Sequence, residues 1–199
     1  MALSAATFGA AETYLPLLLQ GLWQSSPIEA GLILTVGSIG WSFTSAGIAR
    51  YADYPRRLST WGTVLLFLGL VGITLLLKFQ GPLWGIYLSW FISGVGMGMV
   101  VPTYNTLAMD QSDKYPQGVA TGSLLLSMTW GFALGAPLAG IFAQYGFQEG
   151  FNPRMVGLGV LSQSSSDALR MGGLLALGTA LVLIVLTLFF ARRMPRSRA

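Results

Sequence analysis

The sequence predicts an all-α integral membrane protein of six transmembrane helices. Three observations carry that expectation: 53% of the 199 residues are hydrophobic, only 9% are charged, and the apolar residues gather into six runs of membrane-crossing length. Soluble domains carry about 25% charged residues, and a span needs about 20 apolar residues to cross about 30 Å of hydrocarbon. The same composition excludes whole classes of function. With no cysteine and no histidine, disulfides, thiolate metal sites, the usual haem ligand and the commonest zinc ligand are all missing, so neither cofactor nor metal is expected. The net charge of +4 reflects topology rather than nucleic-acid binding, because the basic residues sit at the ends of apolar runs and in the tail, where they meet lipid headgroups.

The first span, roughly residues 3 to 22, contains FGAAETYLPLLLQ, an apolar run with Glu12 in its middle. No basic residue precedes it and no small-x-small site leads from it into a soluble domain, so it is expected to stay in the mature protein. The second, roughly 29 to 50, opens on Ser26, Pro27, Ile28 and Glu29. That order is a capping box, with serine as the cap, proline at the first helical position and glutamate reaching back. The third, roughly 58 to 78 (WGTVLLFLGLVGITLLL), and the sixth, roughly 170 to 191 (LLALGTALVLIVLTLFF), are almost purely aliphatic. The fourth, roughly 84 to 105, and the fifth, roughly 118 to 144, carry glycine, proline, serine, threonine and tryptophan. The run Ser164, Ser165, Ser166, Asp167 is expected to cap the sixth helix.

Polarity therefore recurs every three helices, which points to two three-helix repeats of inverted topology, residues 1–81 and 82–199. Helices three and six are expected to face lipid and the other four to line an interior. Glycines at 37, 40 and 47, at 94, 96 and 98, and at 131, 135 and 140 are expected to let backbones approach, as small residues do in membranes. Pro16, Pro102 and Pro137 interrupt three of the lining helices as candidate pivots, where neighbours or water can meet the freed carbonyls. The string GVGMGM lies inside an apolar span with no Lys-Ser/Thr after it, which argues against nucleotide binding.

With the amino terminus in the cytoplasm, the inner ends and loops hold Arg50, Arg56, Arg57, Lys114, Arg192, Arg193, Arg196 and Arg198, against Lys78, Arg154 and Arg170 outside. This bias places both termini inside and the longest loop, roughly 145 to 169, outside.

Taken together, AAETYLPLLLQ followed by SSPIEAGLILTVGSIGW, then GVGMGMVVPTYNTL and QGVATGSLLLSMTWGFALGAPLAG, resemble the carboxy-terminal six-helix half of a major facilitator superfamily transporter, of the bacterial multidrug and proton antiporter type. The resemblance covers essentially the whole chain. It implies half of a major facilitator fold in a bacterial inner membrane and, with it, proton-coupled export of a small amphipathic or cationic compound. The family's cytoplasmic loop reads Gly-x-x-x-Asp-Arg-x-Gly-Arg-Arg, and AGIARYADYPRR offers Asp53, Arg56 and Arg57 as matches. Ala49 stands at the first glycine, Tyr54 replaces the arginine after the aspartate, and the loop is one residue short. A gate locked by that motif and a plain basic anchor in the headgroups both remain open. Because a full transporter resembles two such halves, the expected partners are a second half, from the same or another chain, or other membrane subunits around a non-transporting scaffold.

Glu12 is the candidate for proton coupling. An ionised carboxylate at mid-membrane costs about 3 kcal/mol on insertion scales, so it is expected to face the protein interior, where its protonation can follow the side from which water reaches it. The alternative is a protonated acid that hydrogen-bonds a neighbouring helix. On a helical wheel Phe8, Glu12, Pro16 and Leu19 share a face, with Tyr14 and Gln20 turned elsewhere. Trp23, Trp61 and Trp84 fall at the interfaces, as tryptophans do, whereas Trp41 and Trp130 fall near mid-depth. They are either aromatic walls for a cation or packing into glycine-made space. Ser38, Ser42, Ser127 and Thr129 are candidate polar partners for a cargo, with bonding between helices the first expectation, and Tyr104, Asn105 and Asp110 are expected to border a cytoplasmic vestibule; Trp41, Trp130, Thr129, Tyr104 and Asn105 are the candidate substrate-pocket residues. No catalytic constellation is present, so no enzyme activity is expected.

Overall fold

The computed structural model describes residues 1–48, 54–109, 116–146 and 163–192. Within them the apolar runs form α1 (Ala2–Trp23), α2 (Pro27–Ile48), α3 (Pro55–Phe79), α4 (Leu83–Met109), α5 (Gln117–Gly146) and α6 (Gln163–Arg192). Each contains a stretch long and apolar enough to cross a membrane, and the chain is a multi-pass membrane protein.

The helix ends follow from local chemistry. At the start of α2 the Glu29 carboxylate accepts from the Ser26 amide at 2.8 Å, and the Glu29 amide donates to the Ser26 hydroxyl at 3.2 Å. This is the expected capping box, built on both of its bonds. At the end of α1, Gln24 turns into the left-handed region at φ 51° and its amide returns to the Leu19 carbonyl. Gln80 does the same at the end of α3, with φ 52° and its amide on Leu76. Both turns satisfy carbonyls that the helix ends leave open. The expected cap of the last helix is placed differently: among the described residues α6 begins at Gln163, so Ser164, Ser165 and Ser166 lie within its first turn rather than ahead of it, and Asp167 follows. The reason is that apolar length marks only the part of a helix that is in hydrocarbon, whereas α6 runs on beyond it with a polar turn.

Two helices occupy the centre. α1 packs against α5 and α6, α4 packs against α2 and α3, and α3 closes the bundle against α6. Exchanging α1 with α4, α2 with α5 and α3 with α6 leaves these pairings unchanged, except that α5 packs closely on α6 and α2 has no comparable seam with α3.

Glycine makes the central seams possible. A side-chain carbon at Gly94 of α4 would fall on the Gly37 carbonyl of α2, one at Gly96 would lie 2.5 Å from the Gly62 carbonyl of α3, and one at Gly98 would lie 2.6 Å from the Trp41 carbonyl. On the other side Gly131 and Gly135 of α5 seat the backbone of α1 at Ala2 and Ala6. Of the glycines expected to pack, Gly47 differs: among the described residues, a side-chain carbon there would meet nothing within 4 Å.

Within this half, burial does not follow the expected division into lipid-facing and lining helices. α3 and α6 are two-faced, burying Leu66, Leu70 and Ile73, and Leu177, Ala180 and Ile184, while Leu68 and Leu75, and Val182 and Val185, stay exposed. α2 and α5, expected to line an interior, are the least buried of the six. They leave Leu32, Ile39 and Phe43, and Leu126, Trp130 and Leu134, uncovered. Physically, α1 and α4 fill the middle of the bundle with side chains, so the remaining faces of α2 and α5 turn away from it.

Gly94→Ala is expected to cost at least about 1 to 3 kcal/mol, because the added methyl meets backbone rather than a flexible side chain. Gly47→Ala is expected to stabilise by up to about 1 kcal/mol through helix propensity. Thermal melting of the two variants in detergent checks the contrast, and equal behaviour contradicts the seam.

Candidate functional site

Glu12 belongs to the central helix α1, eleven residues before its end at Trp23. At 1.5 Å per residue that is about 16 Å from the end of the helix, half the thickness of the hydrocarbon layer. The side chain is half-buried, and among the described residues no hydrogen bond or ion pair joins its carboxylate to another group. The helix-to-helix hydrogen bond of the structural alternative is thus not formed here. Four residues on, Pro16 lies inside the helix and brings no amide to the Glu12 carbonyl. Both the main chain and the side chain of Glu12 therefore offer oxygen at mid-depth.

One turn before Glu12, Phe8 anchors an aromatic cluster. Its ring stacks on Trp90 of α4 at 4.5 Å and meets the edge of Trp41 of α2 at 5.7 Å and 89°. Such geometries follow the ring quadrupoles. Trp90 is only 1% exposed, its indole N–H has no partner among the described residues, and it fills the space made by Gly37. Trp41 is half-buried at the border of the cluster. Sequence reasoning missed Trp90, whose depth in its run does not show which way its ring turns; Gly37, one of the small residues already singled out, is what makes room for it.

The other expected pocket residues lie elsewhere. α1 and α5 run side by side in the same direction, with Ala2 at Gly131 and Ala6 at Gly135. Thr129 and Trp130 therefore stand level with the start of α1, about 15 Å along the axis from Glu12. Trp130 is 57% exposed, and Thr129 is exposed and donates to its own helix at Leu125. Tyr104 and Asn105 lie fourteen and fifteen residues beyond Trp90 on α4, about 21 Å from the aromatic cluster. The Tyr104 hydroxyl turns to Ser59 of α3 at 3.5 Å, and Asn105 is exposed. Trp130, expected near mid-depth, thus stands toward one end of the bundle, and neither its depth nor its direction around the helix was legible in the sequence.

The hydroxyl expectations also change. Ser38 and Ser127 donate to carbonyls of their own helices, at Leu34 and Ser123. The bond between helices comes from Ser45 of α2, whose hydroxyl reaches the Gly98 carbonyl of α4 at 3.3 Å. That carbonyl is the one deprived of its helical donor by Pro102. A freed carbonyl met by a neighbour is what the sequence led us to expect at the prolines, and Pro137 likewise lies inside its helix, α5. Beside Pro102 a cavity of about 110 Å³ opens among Ser45, Ile48, Pro55, Leu58, Thr103 and Thr106. Of the degenerate loop motif, Asp53 lies outside the described residues, as does Asp110. Arg56 and Arg57 occupy the first turn of α3, where the Arg57 guanidinium sits 5.4 Å over the Tyr54 ring.

The sequence pattern of the Major Facilitator Superfamily matches residues 1–199. The chain belongs to the major facilitator superfamily. This is a family of membrane transporters rather than enzymes, and six helices make half of its fold. Among curated proteins, a hexose transporter of Saccharomyces cerevisiae is 27% identical over 116 residues, covering 58% of this chain and 21% of the transporter. The match thus spans about a fifth of the length of that relative. No solved structure matches the superfamily half described here.

The cluster separates the six tryptophans sharply. Trp90→Ala is expected to cost about 3 to 5 kcal/mol, as for other fully buried large aromatics, whereas Trp130→Ala is expected to stay within about 0.5 kcal/mol. Denaturation of the two variants in mixed micelles checks this, and a large loss at Trp130 would place that residue in the core instead.

Proposed function

We propose that this chain is one half of a secondary active transporter, in which Glu12 carries the coupling proton. The observation that carries the reading is a mid-depth carboxylate without a protein partner, one turn from an aromatic cluster. A carboxyl group of this kind changes charge when its surroundings change from apolar to watery. A carrier that alternates access changes those surroundings once in each half-cycle. In the proposed cycle Glu12 takes a proton in one access state and releases it in the other, while Trp41, half-buried at the border of the cluster, offers its ring to the cargo. A small amphipathic or cationic compound fits that environment, because aromatic faces attract positive charge by about 0.5 to 2 kcal/mol, and export is the proposed direction.

The uncovered apolar faces of α2 and α5 supply the seat for a second six-helix half, from the same or another chain. The repetition of packing partners between α1–α3 and α4–α6 supports division into three-helix repeats at residues 1–81 and 82–199. The charge bias of the loops supports cytoplasmic termini, and the resemblance to multidrug antiporters supports a bacterial inner membrane. Arg56 and Arg57 then stand at the cytoplasmic face, with Pro16, Pro102 and Pro137 as the pivots of the moving helices. The yeast relative favours a second reading of the cargo, a hexose.

Glu12→Gln keeps the shape and removes the titration. In proteoliposomes containing the complete assembly it is expected to abolish flux driven by a proton gradient while leaving the melting temperature within a few degrees of the unsubstituted protein. Flux is measured with a lipophilic cationic dye and with a radiolabelled hexose. Loss of dye transport supports the proposal; hexose transport alone moves the cargo to sugars; unchanged flux removes Glu12 from the coupling. Absence of flux in the unsubstituted assembly favours a non-transporting scaffold.

A further inference from the structure

The end of the bundle that carries the α1–α2 and α3–α4 turns holds a second polar site, far from Glu12. Arg170 lies seven residues into α6, level with the C-terminal turns of α1 and α3. With its amide oxygen turned toward the guanidinium, Gln80 accepts from both terminal nitrogens of Arg170, Nη1 at 3.1 Å. The oxygen and nitrogen of an amide are told apart by their partners, and two donors require the oxygen. The Nε of Arg170 is buried and, among the described residues, has no partner. Among the described residues no carboxylate pairs with Arg170, although Asp167 stands one turn away on the same helix.

A guanidinium offers five N–H donors in a planar fork. Here they meet one neutral oxygen. Beside them is a cavity of about 260 Å³, lined by Leu22, Trp23, Leu77, Gln80 and Arg170. Since a water takes up about 30 Å³, the space holds a phosphate group with room for water around it. Its walls are fixed: the Trp23 indole donates to the Gly81 carbonyl at 3.1 Å, which ties α1 to the α3–α4 turn. Leu22 and Leu77 make the inner wall apolar, and Lys78, exposed at the end of α3, adds a second positive charge to this end. The site opens between helices whose outer faces are aliphatic, at the level where headgroups lie.

We propose that this cavity is a phospholipid site, in which Arg170 grips the headgroup phosphate and the acyl chains lie along the aliphatic outer faces of α3 and α6. The phosphate supplies the anionic oxygens that Gln80 cannot. An anionic glycerol headgroup is held better than choline, whose own cation meets Lys78 and Arg170. Because neither Glu12 nor the aromatic cluster takes part, the site stands apart from the proposed transport cycle.

The test uses the full chain, extracted gently, exchanged into phosphatidylglycerol or phosphatidylcholine nanodiscs, stripped by detergent and weighed by native mass spectrometry. The unsubstituted protein is expected to keep phosphatidylglycerol in preference to phosphatidylcholine. Arg170→Gln is expected to lower that retention roughly tenfold to a hundredfold, the range of a charge-assisted hydrogen-bond pair. Arg170→Lys, which keeps the charge and loses the fork, provides a folded variant if the glutamine form does not assemble, and is expected to lose several-fold. Gln80→Asn suits the left-handed turn but is too short to reach Arg170, and is expected to retain lipid at least as well. Equal retention by the unsubstituted protein and both Arg170 variants overturns the site. Displacement of phosphatidylglycerol by inorganic phosphate overturns its assignment to lipid in favour of a soluble anion.

Discussion

The backbone of α4 lies directly against those of α2 and α3, and the rest of the bundle is arranged around that contact. Lipid tails are as apolar as leucine, so helices in a membrane gain little from hiding apolar surface and associate instead through close packing. Gly94 against Gly37 and Gly96 against Gly62 bring main chains together with no side chain between them. Once α4 is held there, the ring of Trp90 has one place to go, over Gly37, and Phe8 of α1 stacks on it. That stack and the seam at Gly131 and Gly135 of α5 hold α1 from two sides, and with it the depth and exposure of Glu12.

Much of this was legible in the chain itself. The six spans, the capping box at Ser26 and Glu29 and the packing glycines rest on local rules of length, hydrogen bonding and volume, and such rules act alike in lipid and in water. What was not legible is direction around each helix. In a soluble protein an apolar stripe marks the buried face, but here both the lipid side and the protein side are apolar, so the pattern of Trp130 and Leu134 on α5 looks no different from that of Leu177 and Ile184 on α6. Trp41 and Trp130 were indistinguishable by depth, yet one borders the central cluster and the other faces outward. Tyr104 likewise turned out to serve the α3–α4 seam.

The hydroxyl groups show a related competition. Within hydrocarbon a serine or threonine always has a carbonyl of its own helix within reach, four residues back, and Ser38, Ser127 and Thr129 take it. Ser59 and Ser45 instead reach across to α4, Ser59 to the Tyr104 hydroxyl and Ser45 to a carbonyl. Pro102 frees that carbonyl, of Gly98, by stripping it of its donor, and Ser45 turns toward it. Proline in one helix thus determines the behaviour of serine in another, a dependence that neither residue reveals alone.

The hydrogen bond from Trp23 to Gly81 gives the bundle unequal stiffness along its length. It joins the end of α1 to the turn between α3 and α4, so three helix ends move as one piece at that surface. At the opposite surface, beside the space at Pro102, the ties among the described residues are longer: Ser45 to the Gly98 carbonyl at 3.3 Å and Ser59 to the Tyr104 hydroxyl at 3.5 Å, neither of which reaches a turn between helices. A load applied to the bundle therefore displaces the Trp23 end least, as the clamped end of a beam moves least.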